Sequence, residues 1–179
     1  MRKSVPLLVA AALSVLLSGC LTSQTPKFPM SSAIPALGDG GRYVMSNHVG
    51  KGKFKREQVL TVKRLPDGAY ELIPDKTEKG GKSRAPQLSF HDIGNGVIIA
   101  QAKGPEDNSH PYAYLFLTRK GKELLLDLPQ CDKQNSAVLE ANGVVFRDKW
   151  ECSIEKVADP AKLFAALTPG EPSIKLAPE

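Results

Sequence analysis

The sequence predicts a mainly β domain, an antiparallel meander of about seven or eight strands that closes into a small barrel or a sandwich, with one short C-terminal α-helix. Two observations support this fold class. Three strand–turn–strand patterns follow one another along the chain, each with clear turn residues. A sheet of this size closes or folds over, because long free strand edges invite aggregation.

The first element in the chain has the pattern of an export signal. Arg2 and Lys3 precede an apolar run over residues 5–17, which is shorter than the roughly 20 residues of a membrane-spanning helix. The run ends in Leu17-Ser18-Gly19-Cys20, which resembles the lipobox of bacterial lipoproteins. The resemblance implies removal of residues 1–19, a thioether-linked diacylglycerol on Cys20 and an acylated amine. Several acyl chains together form a stable membrane anchor.

Leu21 rather than aspartate follows the cysteine. By resemblance to enteric sorting patterns, this indicates the periplasmic face of the outer membrane, with the inner membrane as the alternative. An ordinary secretory signal with a chance cysteine is the other interpretation of this segment. Residues 20–40 then predict a lipidated cysteine followed by a flexible tether, because proline, serine and glycine interrupt any apolar periodicity.

The single β-rich domain is expected over residues 41–168. The first hairpin joins residues 56–65 and 69–73 through Pro66-Asp67-Gly68, after a short strand at 42–46. The second and third hairpins turn at Gly94-Asn95-Gly96 and at residues 119–122.

The C-terminal third contains an ambiguous stretch and a clear helix. Asn142-Gly143 is compatible with the end of a short helix and equally with a hairpin turn. Residues 144–157 predict a strand. Asp159 is a good N-cap and Pro160 suits the first helical position, so a helix begins there. We expect residues 169–179 to form a loose tail.

The cysteines support an oxidising compartment. Lipidation of Cys20 leaves Cys131 and Cys152 as an even pair, which predicts a disulfide. A closed loop of about 22 residues would stabilise the fold by roughly 3 kcal/mol in the chain-entropy model. A catalytic thiol or a metal pair is the alternative, but the sequence has no C-x-x-C motif.

Charge and motifs argue against several function classes. The formal charge of +5 falls to +3 when Arg2 and Lys3 leave with the signal, so nucleic acid is not an expected partner. His48, His91 and His110 lie in separate segments, and we expect no metal and no cofactor. No nucleophile elbow or phosphate loop occurs, and Ser-Phe-His-Asp at 89–92 is a poor local triad on a strand.

Two segments are candidates for binding. Residues 51–56 carry Lys51, Lys53, Lys55 and Arg56 around Phe54, which suits contact with lipid headgroups or acidic envelope polymers; a merely solvated loop is the alternative. A mixed-charge run covers residues 75–84. A stripe on the sixth predicted strand, made of Tyr112, Tyr114 and Phe116, would either line a ligand cavity or fill the core.

These observations favour a non-enzymatic, membrane-anchored β domain that acts in envelope structure or in protein interaction. A lipocalin-like carrier of a small apolar ligand is the alternative, and a hydrolase with a site assembled from distant residues is the third candidate.

Overall fold

The computed structural model describes residues 21–75, 85–104, 110–131, 135–147 and 151–179. Eleven strands, two α-helices and one 3₁₀ turn occur in these ranges. The strands are β1 (Leu21–Ser23), β2 (Gly40–His48), β3 (Phe54–Arg64), β4 (Tyr70–Pro74), β5 (Gln87–Asp92), β6 (Ile98–Lys103), β7 (Tyr112–Lys120), β8 (Glu123–Asp127), β9 (Val145–Phe146), β10 (Cys152–Ser153) and β11 (Ile174–Pro178). The helices are α1 (Ser136–Ala141) and α2 (Pro160–Ala166), and the 3₁₀ turn is Met30–Ser32.

Eight of these strands form a closed antiparallel barrel. Strands β2 to β7 each pair with the next strand in the chain, as a meander does. Strand β11 then lies between β8 and β2, and the ladder between β6 and β7 is part of the same closed ring. The predicted fold class is therefore confirmed, with the barrel realised rather than the sandwich.

The three predicted hairpins are confirmed as β3–β4, β5–β6 and β7–β8. Local turn chemistry explains them. The Asp67 carboxylate accepts a hydrogen bond from the Ala69 amide at 3.0 Å, and Gly68 has a φ of 92°. Asn95 has a φ of 54°, a conformation that asparagine tolerates better than most side chains.

The interpretation of residues 169–179 as a loose tail is wrong. Strand β11 pairs antiparallel with β2 on one side and with β8 on the other. Ile174 and Leu176 alternate into the barrel and are buried. The segment is ordered because without it β2 and β8 would each present an open edge.

The flexible tether predicted for residues 20–40 is also wrong over its described part, which starts at Leu21. Strand β1 is buried between β7 and β10. Phe28 is buried, and the Ile34 amide donates to the Phe90 carbonyl at 2.7 Å. Leu21 and Phe28 pack in the outer layer, whereas Ala36 and Leu37 belong to the cluster inside the barrel, so the segment is held at both places.

The inside of the barrel is filled by side chains from all eight barrel strands. Tyr70 and Phe90 meet edge to face at 5.9 Å between ring centroids. Alanines on β6 and β7 leave room for these rings in a narrow interior. Each barrel strand contributes buried side chains to this interior cluster. One from each strand is Met45, Leu60, Leu72, Phe90, Ala100, Leu115, Leu126 and Leu176.

A second layer covers the outer face of β6 and β7. Its core contains Leu21, Phe28, Tyr114, Phe116 and Phe164, together with residues from α1 and β10. The stretch that was compatible with a helix or a hairpin is the helix α1; Asn142 is its C-cap, and Gly143 follows with a φ of 79°. The strand predicted over 144–157 is instead two short strands, β9 and β10, which pair antiparallel.

The predicted disulfide joins Cys131 to Cys152, with 6.0 Å between their Cα atoms. Both cysteines belong to the second layer. The bond therefore ties the end of the meander to β10, and through β10 to β1. Trp150 lies outside the described residues.

Candidate functional site

The first candidate site is β1, where the described part of the chain starts. Leu21 is fully buried and is paired in parallel with Cys152. Thr22 is aligned with Ala113 of β7, and its carbonyl accepts a hydrogen bond from the Ile154 amide at 2.9 Å. The folded domain thus extends to the residue directly after Cys20, which itself lies outside the described residues.

Hydrogen bonds and an ion pair around Glu155 hold the residues that follow β1. The Glu155 carboxylate accepts hydrogen bonds from the Gln24 amide at 2.8 Å and from the Thr25 hydroxyl at 2.7 Å. Lys27 donates from Nζ to the Glu155 carbonyl at 2.7 Å. Desolvation opposes ionisation, but these hydrogen bonds and the Lys27 charge together lower the pKa of the Glu155 carboxyl to about 2.

Two buried polar side chains on the barrel wall receive the same segment. The Gln101 side-chain carbonyl accepts from the Lys27 amide at 2.9 Å and the Phe28 amide at 3.0 Å, and its amide donates back to the Phe28 carbonyl at 3.2 Å. The Tyr114 hydroxyl is hydrogen-bonded to Ser23 at 2.6 Å. Burial raises the pKa of Tyr114, so the phenol keeps its proton for this contact.

His91 is a buried histidine on β5 with a partner for each ring nitrogen. Its Nδ1 lies 2.9 Å from the Ser32 hydroxyl, and its Nε2 lies 2.8 Å from Ser89. Because Ser32 donates to the Pro29 carbonyl, it accepts from Nδ1–H, which leaves Nε2 to accept from Ser89. Burial lowers the pKa of His91 to about 4, despite an opposing contribution from Ser32.

The proximity of Ser89 to His91 does not make a hydrolase site. Both side chains are buried beneath the 21–35 segment, and Phe28 stacks on the imidazole with 5.3 Å between ring centroids. Asp92 is exposed and occupies the other face of β5. The arrangement therefore fastens the segment to the barrel and offers no opening for a substrate.

We expect His91 to make stability depend on pH. The unfolded histidine binds a proton near pH 6.5, whereas the folded one binds it near pH 4, so the unfolded state holds more protons between these values. The free energy of unfolding should fall by on the order of 1–2 kcal/mol as the pH drops from 7 to 4, since solvent screening reduces the full effect. Urea titrations at several pH values measure this, and His91→Gln should remove most of the slope. Parallel profiles for the two proteins would contradict the assignment.

The basic segment 51–56 forms the turn between β2 and β3 and the start of β3. Lys51, Lys53 and Lys55 are exposed, as the sequence suggests. Phe54 is half-buried instead of protruding: its ring lies 5.5 Å from that of His48, and the Lys175 ammonium lies 5.4 Å from its centroid.

Arg56, the remaining member of this segment, lies 3.4 Å from a Glu179 oxygen. The structure thus leaves the three lysines as the candidates for contact with an anionic surface. Of the mixed-charge run over residues 75–84, all but Asp75 lies outside the described residues.

The aromatic stripe faces away from the barrel interior, so the ligand-cavity interpretation is wrong. Tyr114 and Phe116 each lie 5.8 Å from the Phe164 ring of α2, between ring centroids. Tyr112 is partly buried against the same second layer. Their neighbours Ala113 and Leu115 face the interior instead.

Sequence reasoning missed the polar residues that seat the 21–35 segment. Gln101 is a polar residue within the apolar run of its strand. This break in the apolar pattern could have indicated a buried hydrogen-bonding role. Glu155 carried no comparable signal, because acidic residues are common near strand ends.

No three His, Cys, Asp or Glu side chains among the described residues gather in a group suited to a metal ion. Within the same ranges, no helix combines the length and the apolar character needed to cross a bilayer. Comparison of the chain with family models, curated proteins and solved structures finds no match in any of the three.

Proposed function

We propose that this chain is a lipoprotein anchored to the outer membrane through Cys20, and that its barrel is a non-enzymatic domain that serves envelope structure or protein interaction on the periplasmic side. The lipobox-like Leu17-Ser18-Gly19-Cys20 supports the anchor. A disulfide between Cys131 and Cys152 fits an exported domain, since disulfides persist in oxidising compartments.

One observation carries this proposal. Leu21, which directly follows the expected attachment point, is fully buried in a strand paired on both sides. A lipid on Cys20 would therefore hold the folded barrel at the membrane surface without a length of free chain between them. Such an arrangement suits a structural or interaction domain that must stay at a fixed distance from the membrane.

The interior of the barrel supports a structural or interaction role over transport of a ligand. A closed eight-stranded barrel is compatible with a carrier. However, large side chains such as Tyr70 and Phe90 occupy the interior, and the aromatic stripe lies outside it. No observation therefore favours the carrier.

Replacement of the attachment residue tests the anchor. Wild-type protein labelled in cells with an alkyne analogue of palmitate should incorporate the label and sediment with outer membranes after a carbonate wash. Cys20→Ala should lose the label and the membrane association, because the thioether can no longer form.

A matched control tests whether either of the other two cysteines carries the label. A Cys131→Ala, Cys152→Ala double variant should retain the label, since neither residue carries the lipid. Persistence of Cys20→Ala in the carbonate-washed membrane fraction would reject the lipid anchor. Recovery of the wild type with inner membranes would reject only the outer-membrane location.

A further inference from the structure

Strand β9 lies close to the predicted anchor. The registers of three neighbouring strands align Leu21 of β1 with Cys152 of β10 and Cys152 with Phe146 of β9. Strands in a sheet are about 4.8 Å apart, so Phe146 is on the order of 10 Å from Leu21 across the sheet. Cys20 is one peptide unit from Leu21, about 3.8 Å between Cα atoms.

The two residues of β9 are apolar and exposed. Val145 is 43% exposed and Phe146 is 38% exposed, although their neighbour Val144 is buried. Strand β9 pairs with β10 alone among the described strands, so it forms the end of the sheet. Consecutive strand residues point to opposite faces, so each face of this sheet end carries an exposed apolar side chain, which is unusual at an edge that meets only water.

The lack of free chain between Cys20 and the folded domain indicates what covers Val145 and Phe146. Leu21 is fully buried, so acyl chains on Cys20 would enter a bilayer within one residue of the folded domain. Phe146 lies about 10 Å from Leu21 across the sheet, which is close enough to reach the headgroup and acyl boundary, roughly 5–10 Å deep, when this end of the sheet faces the bilayer. Arg147, next to Phe146 in the chain, is exposed, and its guanidinium donates a hydrogen bond to His110 Nδ1 at 2.9 Å.

A protein partner or a second copy of this chain fits the pair less well. A stable protein interface buries at least about 1,000 Å² in total, and two half-exposed side chains provide only a small part of that area. A bilayer needs no such area, because the lipid on Cys20 already supplies the attachment.

We propose that Val145 and Phe146 rest in the boundary region of the same bilayer that holds the Cys20 lipid, and that they fix which side of the barrel faces the membrane. This inference rests on the proposed lipidation of Cys20. It adds an orientation: the second layer lies toward the membrane, and the opposite wall, with β3 and β4, faces the periplasm.

Site-specific photocrosslinking tests the contact in the full lipidated chain. A benzophenone analogue of phenylalanine is placed at position 146, where it replaces an aromatic ring, or at Ile73 of β4. Ile73 has a similar exposure, 36%, and lies three strands around the barrel from β7. Each protein is reconstituted into vesicles of phosphatidylethanolamine and phosphatidylglycerol that contain a radiolabelled phospholipid, and is then irradiated.

We expect lipid adducts at position 146 to exceed those at position 73 by about fivefold or more, since only the first site reaches the acyl boundary. Equal adduct yields, or protein adducts as the main product at position 146 in cells, would overturn the inference. Trypsin resistance and the intact disulfide establish that both variants are folded.

Two further measurements distinguish failure of this inference from failure of the proposed function. If Cys20 carries no lipid, the wild type fails to float with the vesicles, and the anchor itself is rejected. If the protein floats but position 146 gives no excess of lipid adducts, only the orientation is rejected. A flexible Gly/Ser insert of 20 residues between Cys20 and Leu21 should reduce the adducts at position 146 severalfold, because the insert restores slack. An unchanged yield would also overturn the inference.

Discussion

Truncation of the chain after Ser173 is expected to unfold the barrel. The deletion removes β11, which is paired with β2 and β8, and leaves both of those strands with open edges. It also removes two buried side chains, Ile174 and Leu176, whose burial contributes about 3–6 kcal/mol. That loss is comparable with the whole stability of a typical domain, about 5–15 kcal/mol.

Circular dichroism and urea denaturation of the truncated protein measure this effect. A cooperative transition close to that of the wild type would show that the barrel does not depend on β11. Two point variants serve as matched controls on the same strand. Leu176→Ala should lower the free energy of unfolding by about 2–5 kcal/mol, whereas Lys175→Ala, which loses a partly exposed ion pair with Glu123, should change it by less than about 1 kcal/mol.

Phe164→Ala is expected to produce the second large effect, centred on the outer layer. The Phe164 ring is fully buried, with centroids 5.9 Å from Phe28 and 5.8 Å from both Tyr114 and Phe116. Its removal should cost about 3–5 kcal/mol, because a ring and its contacts are lost while the rigid barrel wall cannot close the space.

Hydrogen exchange locates this loss within the molecule. We expect the amides of β1, β10 and α2 to exchange faster in the variant, while those of β3 and β4 stay protected. Reduction of the Cys131–Cys152 disulfide should also become faster, since both sulfurs belong to this layer. Uniform loss of protection over both regions would show that the two layers unfold as one unit. Lys162→Ala, an exposed position on the same helix, is the control and should change stability by less than about 0.5 kcal/mol.

The sequence could predict those parts of the fold that depend on nearby residues. The hairpins and helix α2 are of this kind: the Asp159 side chain accepts from the Lys162 amide at 2.9 Å, which is a contact within one turn. Strands β1 and β11 could not be recognised, because they are only three and five residues long, and β1 is buried at all three positions without alternation. Their partners lie far away in the chain, so no local signal identifies them.

The side of the barrel that the aromatic stripe faces was unpredictable for a related reason. Alternation shows that Tyr114 and Phe116 share a face, but it does not show which face is inside. An eight-stranded barrel has a narrow interior, so the face that carries Ala113 fits inside and the larger rings are left for the outer layer.

Closure by β11 also has a consequence for the order of events in folding. Strand β11 must fit between β8 and β2, and β2 lies far earlier in the chain. Until β11 docks, the meander has two unpaired edges and the barrel cannot close. Contacts between residues so far apart in the chain slow folding. The folding chain therefore passes through an interval with open sheet edges, during which protection by a chaperone would matter most.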